Sequence, residues 1–167
     1  MRKIIGTLGS HCSLQVLKGA KDEGFKTLLI TEKKRYHVYK RFNFIDHVIL
    51  VDSFRDVLQS DIQNRLNKLE CILIPHGTLI STLSSDEIES INVPFFGNKF
   101  ILRWEADRNL KQKLMLESKL QVPRAINSKS EIDDLCIVKL HGAAGGKGYF
   151  LTSDQNGFEE GFHKLLN

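Results

Sequence analysis

KLHGAAGGKGYF, residues 139–150, is the stretch on which the reading of the fold turns. It holds four glycines (Gly142, Gly145, Gly146, Gly148) and two lysines (Lys139, Lys147). The run that leads into it, LCIVKL at 135–140, is apolar enough for a buried strand. A strand carrying one lysine therefore feeds a glycine-rich turn carrying another. Glycines let backbone N–H groups approach a phosphate with no side chain in the way, and Lys147 at the tip of such a turn reaches a terminal phosphate. Lys139 alternates inward or outward on its strand; pointing inward, it requires an anion, because an unpaired ammonium out of water is costly. The spacing is not G-x-x-x-x-G-K-[ST], which excludes a P-loop. The lysine strand precedes the glycines, the reverse of the protein-kinase order. The competing reading is a plain hairpin with solvated lysines.

Upstream, short apolar runs alternate with helical patterns. KIIGTL (3–8), KTLLIT (26–31), HVILVD (47–52) and CILIP (71–75) read as strands. Residues 13–23 read as a helix ending at Gly24, and 53–70 as one amphipathic helix capped by Ser53, with Phe54, Leu58, Ile62, Leu66 and Leu69 on one face. This alternation predicts an α/β fold with a parallel sheet and right-handed crossovers. Beyond NVPFFGN (92–98), residues 99–119 read as one long charged helix and QVPRAI (121–126) as a strand. CIVKL and YFLTS (149–153) then flank the glycines, and a last helix covers 155–166. The domain boundary is placed between residues 97 and 98, giving domains 1–97 and 98–167.

In an open parallel sheet, ligands bind beyond the carboxyl ends of the strands. Two loops stand at such ends. GSHCS follows the first strand and carries Ser10 and His11; PHGT follows the fourth and carries His76, Gly77 and Thr78. Each offers a histidine, a hydroxyl and backbone N–H groups at the start of a helix, which suits a phosphate. Taken singly, either histidine is more simply a helix cap or a solvated loop residue. At topologically equivalent places, the pair points to binding. The first loop lacks G-x-G-x-x-G, so there is no dinucleotide fingerprint. No acidic residue is fixed beside either histidine, so a hydrolase triad has little support. Asp133 and Asp134 read as a solvated turn and Trp104 as core, and no metal-ligating set stands out.

The chain has 167 residues, 41% of them hydrophobic and 26% charged, with a net charge of +4. That is enough for one solid core or two small lobes, and the mild charge fits an anionic small ligand. Cys12, Cys71 and Cys136 are far apart with no C-x-x-C spacing, so neither zinc nor disulfides are indicated, and a reducing cytoplasm is expected. MRKIIGTLGSH (1–11) is too short in its apolar run for a signal peptide or a membrane span. KKRYHVYKRFNF (33–44) is the one basic, aromatic stretch that could stack on nucleic acid. It reads better as the flank of an anionic site or a subunit contact, so neither nucleic acid nor membrane is expected as a partner.

The strand lysine followed by GGKGYF resembles the nucleotide-binding hairpin of ATP-grasp ligases. The lobe before it is similar to the Rossmann-like domain that precedes them. In order, SHCSLQVLKGAKDEGFKT (10–27), IPHGTL (74–79), VPFFGNKFILRWEADRNLKQKLMLE (93–117) and IVKLHGAAGGKGYF (137–150) resemble the archaeal PurP family. These are formate-dependent 5-formaminoimidazole-4-carboxamide ribonucleotide synthetases of purine biosynthesis. The resemblance implies a Rossmann-like pre-ATP-grasp domain followed by the first α+β subdomain of an ATP-grasp fold. It implies a C–N ligase that uses ATP and Mg²⁺ to join formate to aminoimidazole carboxamide ribonucleotide (AICAR) through formyl phosphate. Ser10, His11, His76, Gly77 and Thr78 would hold the ribonucleotide phosphate, and Lys139, Gly145, Gly146, Lys147 and Gly148 the ATP phosphates. Thr78 stands where the family is expected to have serine, which keeps the hydroxyl. The family is longer than this chain, so this sequence is read as its N-terminal half, inactive alone, with the Mg²⁺ ligands in the other half and a homo-oligomer expected at full length. The alternative is a non-catalytic protein that binds a phosphorylated ligand or a full-length synthetase.

Overall fold

The computed structural model describes the backbone of residues 3–144 and 147–166 and the side chains of residues 3–139 and 148–165. The chain divides into two compact units, Met1–Leu102 and Arg103–Asn167. The first contains β1 (Ile4–Leu8), α1 (Ser13–Asp22), β2 (Lys26–Glu32), the single turn α2 (Tyr36–Tyr39), β3 (His47–Val51), α3 (Ser60–Lys68), β4 (Cys71–Leu73), α4 (Gly77–Thr82) and α5 (Ser85–Ser90). α6 (Ile101–Ala106) spans the division. The second unit contains α7 (Arg108–Glu117), β5 (Cys136–Ala144), β6 (Lys147–Thr152) and α8 (Gln155–Leu166).

The expected α/β architecture holds. Four parallel strands lie in the order β3-β2-β1-β4. Phe95 adds a short parallel bridge to Leu73, at the outer edge of β4. β2 shows why these strands are apolar throughout rather than alternating: both faces of the sheet are covered. Leu28 and Ile30 face one core with Ile4, Leu8, Val57 and Leu66, while Leu29 faces another with Leu17 and Tyr39. Each such leucine contributes about 1.5–3 kcal/mol by leaving water. Cys71 on β4 is fully buried, and burial pushes its thiol up to about 12, so it is packing and not a nucleophile.

Three sequence expectations are corrected. The helix expected over 53–70 is broken: Phe54–Leu58 is a 3-10 turn, Gln59 is extended (φ −70, ψ 138), and α3 begins at Ser60. Ser53 and Asp56 close the 3-10 turn as a reciprocal capping box, and Phe54 and Val57 are both buried by it. Packing of those two side chains overrides the continuous helical stripe. The long helix expected over 99–119 is broken at Asp107 (φ −97, ψ 120), whose carboxylate accepts from the N–H groups of Asn109 and Leu110 and caps α7. Residues 121–126 form no strand; Pro123 removes a donor, and the segment lines a cleft instead.

In the second unit, β5 and β6 pair as an antiparallel hairpin with Ile137 opposite Leu151 and Lys139 opposite Tyr149. One face is covered by α8: Phe158 lies 6.0 Å from the Phe150 ring and stacks on Phe162 at 5.6 Å. A Cβ at Gly161 would overlap the Phe150 ring, so only glycine lets α8 sit this close. On the other face Ile137, Tyr149 and Leu151 remain 52%, 48% and 59% exposed. Among the described residues no helix is long and apolar enough to cross a membrane.

The start of β2 is tied down by Asp46. Its carboxylate accepts from Thr27 N (2.8 Å), Thr27 Oγ1 (3.2 Å) and Lys21 Nζ (2.6 Å). Burial pushes this carboxyl up, but the hydrogen bonds from Lys21 and Thr27 outweigh it and hold it below the ordinary range. A depressed folded-state pKa contributes stability above the unfolded value of about 4 and loses it as pH falls through the folded value. Asp46→Asn is expected to lower the unfolding free energy at pH 7 by about 1–2 kcal/mol in urea melts. The gap between variant and wild type should close as the pH is taken below about 4; a gap that stays constant with pH would refute the assignment.

Candidate functional site

The strand order places the topological switch between β1 and β4. The chain runs outward from β1 to β2 to β3, then returns to pair β4 on the opposite side of β1. Ligands of open parallel sheets bind at such a crevice. The loop after β1 and the loop after β4 therefore meet, although Ser10 and His76 are 66 residues apart.

The first loop is fixed through the Ser10 carbonyl. It accepts from the Ser13 hydroxyl (2.6 Å), the Ser13 N–H (3.0 Å) and the Tyr39 hydroxyl (3.3 Å). Gly9, just before it, lies against β2: its N–H donates to the Ile30 carbonyl at 2.7 Å, and a Cβ there would stand 2.7 Å from Thr31 Oγ1. A glycine is required by this close approach.

His76 ties the two loops. Its Nε2 lies 2.9 Å from the Leu8 carbonyl, which only accepts, so Nε2 carries the hydrogen. Nδ1 then offers its lone pair to the Thr78 N–H at 3.3 Å and to the Ser10 hydroxyl at 3.4 Å. His76 is also the cap of α4. Both ring nitrogens thus face protein groups. Gly77 is exposed beside it, with open space where a Cβ would be.

Beyond the strand ends lies a pocket of about 510 Å³ to which all four strands contribute. Ser10 and His11 follow β1, Glu32 ends β2 and Arg35 follows it, Ser53 follows β3, and Thr78 follows β4. Ser10, His11 and Thr78 of the sequence-derived set line it; His76 and Gly77 are not among the lining residues. Glu32 and Ser53 were not anticipated at the site, while Arg35 belongs to the basic stretch 33–44 expected to flank an anionic site or form a subunit contact. Their signal was topological: each ends or follows a parallel strand on the ligand-binding edge. The basic stretch 33–44 is largely committed locally. Lys33 pairs with Asp52 at 2.8 Å, Arg35 with Glu32 at 2.8 Å, and the Tyr39 ring is buried.

The second unit has its own cleft, about 1090 Å³, lined by β5 and the 122–129 segment. Lys139, Lys129, Met115, Val122, Ile126 and Phe158 combine cations with an apolar floor there. Gly148 has φ +80, a backbone that favours glycine. Gly145, Gly146 and the Lys147 side chain lie outside the described residues. No group of three or more His, Cys, Asp or Glu gathers for a metal among the described residues.

The His76 bridge has a measurable consequence. His76→Ala leaves the Leu8 carbonyl and the Thr78 N–H without their partner. It should lower the unfolding free energy by about 1–3 kcal/mol in urea denaturation. Unchanged stability would show that the bridge does not hold the loops.

The family described as Protein of unknown function (DUF1246) matches residues 5–126. The chain is 57% identical over 163 residues to the 5-formaminoimidazole-4-carboxamide-1-(beta)-D-ribofuranosyl 5'-monophosphate synthetase of Nitrosopumilus maritimus, covering 98% of this chain and 48% of that protein. It is 49% identical over 155 residues to the protein of the same name from Methanocaldococcus jannaschii, covering 92% and 43%. The chain spans about half the length of the curated relatives it matches. The crystal structure of an IMP biosynthesis protein PurP from Thermococcus kodakaraensis superposes with a TM-score of 0.66 at 28% identity, over 88% of this chain and 48% of that one. N5-carboxyaminoimidazole synthetase from Staphylococcus aureus matches in fold alone, with a TM-score of 0.69 at 11% identity over 100% and 46% of the two chains. The fold is therefore a Rossmann-like parallel-sheet domain followed by the first part of an ATP-grasp fold. Residues 5–126 take in all but the first residue of the parallel sheet and both loops of its switch point, and on that match this chain belongs to the DUF1246 family and is PurP-like along almost all its length.

Proposed function

We propose that this chain is the N-terminal part of a PurP-like ligase that formylates AICAR with ATP and formate in IMP biosynthesis. The observation that carries the reading is the convergence of Ser10, His11 and Thr78 on one pocket at the β1/β4 switch point. Two hydroxyls, an imidazole and the backbone N–H groups that open α1 suit a ribonucleotide phosphate. His76 acts through the loops it joins, and Gly77 leaves its backbone open beside Thr78. ATP belongs to the second unit. Lys139 lines its cleft, and Gly145, Gly146, Lys147 and Gly148 are the glycine-rich sequence assigned with it to the phosphates of ATP, so the lysines that open the sequence reading are held over those phosphates.

Formate is a poor electrophile because its carboxylate has no leaving group. An oxygen of formate attacks the terminal phosphorus of ATP and ADP departs, giving formyl phosphate. The AICAR amine then attacks the formyl carbon, phosphate leaves, and the nitrogen gives up a proton. The protein's part is alignment and charge neutralisation. The described residues gather no carboxylate set for Mg²⁺, so its ligands are assigned to the remainder of the longer protein. The exposed apolar face of the hairpin at Ile137, Tyr149 and Leu151 supports that division, since a two-stranded sheet needs a further layer. The chain alone is then inactive, and the full-length enzyme is a cytoplasmic homo-oligomer.

The test is calorimetry of this chain with AICAR, together with ATP turnover by the chain extended to its relatives' length. AICAR should bind without ATP, and Thr78→Ala should weaken it about tenfold. The extended protein should consume ATP only when formate and AICAR are both present, and Lys139→Ala should raise its KM for ATP at least tenfold. ATP consumption independent of formate would refute the ligase reading. Ribonucleotide binding without any turnover would favour the non-catalytic alternative.

A further inference from the structure

A phosphate ester is nearly a dianion at neutral pH. Ser10, His11 and Thr78 offer it hydroxyls and an imidazole, but no permanent positive charge. Among the described residues that line this pocket, Arg35 is the one that carries such a charge. It closes the 3-10 turn Lys33–Arg35 just past β2. Its Nε stands 2.8 Å from Glu32 Oε2, and its guanidinium lies 5.6 Å over the Phe54 ring. Both anchors are themselves fixed, since Glu32 and Phe54 are buried. The cation is thus oriented before any ligand arrives, which cuts the ordering cost of binding.

Arg35 is held at one edge and open at the other. The Glu32 contact engages Nε. Among the described residues no oxygen accepts a hydrogen bond from its Nη groups, and the side chain remains 48% exposed. Nor is its charge cancelled. Lys34 Nζ stands 3.4 Å from the other oxygen of Glu32, so two cations share one carboxylate and a positive surplus remains beside the pocket. Lys33 differs: it pairs with Asp52 at 2.8 Å and does not line the pocket. A planar fork with open Nη donors matches two oxygens of one phosphate. We propose that the Nη groups of Arg35 donate to the phosphate of the bound ribonucleotide, so that this residue makes the site select the phosphate ester over its nucleoside. Glu32 and Phe54 are positioning residues that hold the fork and touch no ligand. The inference rests on the proposed ribonucleotide site and adds to it the cation that its two loops lack.

The test is calorimetry of the whole chain with AICAR and, by competition, with the unphosphorylated nucleoside of AICAR. It is run on wild type, Arg35→Gln, Arg35→Lys and Lys33→Gln. Wild type should bind AICAR at least about tenfold more tightly than the nucleoside. Arg35→Gln should weaken AICAR about 10- to 100-fold and change the nucleoside by less than about twofold. Arg35→Lys, which keeps the charge without the fork, should fall between. Lys33→Gln removes an equal charge outside the pocket and should leave both ligands within about twofold. Equal weakening of both ligands by Arg35→Gln would mark a structural role and overturn the inference. Undiminished AICAR binding by Arg35→Gln would overturn it while leaving the site of the two loops standing. A loss in Lys33→Gln as large as that in Arg35→Gln would assign the effect to the general field and overturn it equally. Should Arg35→Gln fail to fold, Arg35→Lys that binds AICAR as wild type does overturns it. A wild type that binds neither ligand removes the site itself, and the inference with it.

Discussion

One imidazole holds the working edge of the sheet together. His76 donates from Nε2 to the Leu8 carbonyl and accepts at Nδ1 from Thr78 and Ser10. The end of β1, the loop after it and the start of α4 are thereby locked to one another. Without that bridge the switch point would still exist as topology. Its two loops would have no reason to share one geometry. The neutral ring, with one donor and one acceptor, is the group that can face a carbonyl on one side and an N–H on the other.

The sheet beneath gives the edge its rigidity. β2 lies between β3 and β1, is buried on both faces, and carries no alternation. Asp46 secures its start and Gly9 packs against its end. Glu32 marks the point where that burial gives way to the pocket. Its carboxylate is flanked by two cations, Lys34 and Arg35, from the next turn of chain. The basic stretch 33–44 is thus divided between charge balance at the pocket and packing under the first loop, where Tyr39 reaches the Ser10 carbonyl.

The second unit is built by a different rule. Its hairpin is stabilised from one side, by Phe150, Phe158 and Phe162 and the glycine that lets α8 approach. Its strand lysine, Lys139, is exposed and lines the cleft. Half-buried strands of this kind show apolar residues on both faces only when both faces are meant to be covered, which is the pattern of Ile137 and Leu151 beside Val138 and Phe150.

Much of this was written locally in the sequence. Apolar runs bounded by turns determined the four parallel strands, and the position of GSHC and PHGT after two of them singled out Ser10, His11, His76, Gly77 and Thr78, of which Ser10, His11 and Thr78 line the pocket. The lysine–glycine hairpin and its family resemblance were equally local. The breaks at Gln59 and Asp107 were not read, because a helical stripe looks continuous until packing or a cap interrupts it. Three things belonged to the tertiary structure alone. The inward role of His76 depends on a carbonyl 68 residues away. Strand order decides that Glu32, Arg35 and Ser53 share a pocket with both loops. Burial leaves Glu32 Oε2 to the Arg35 guanidinium. The physical reason is the same for each: residue type and spacing determine what a segment can form, while long-range contact determines which groups lose water and what they must then find in its place.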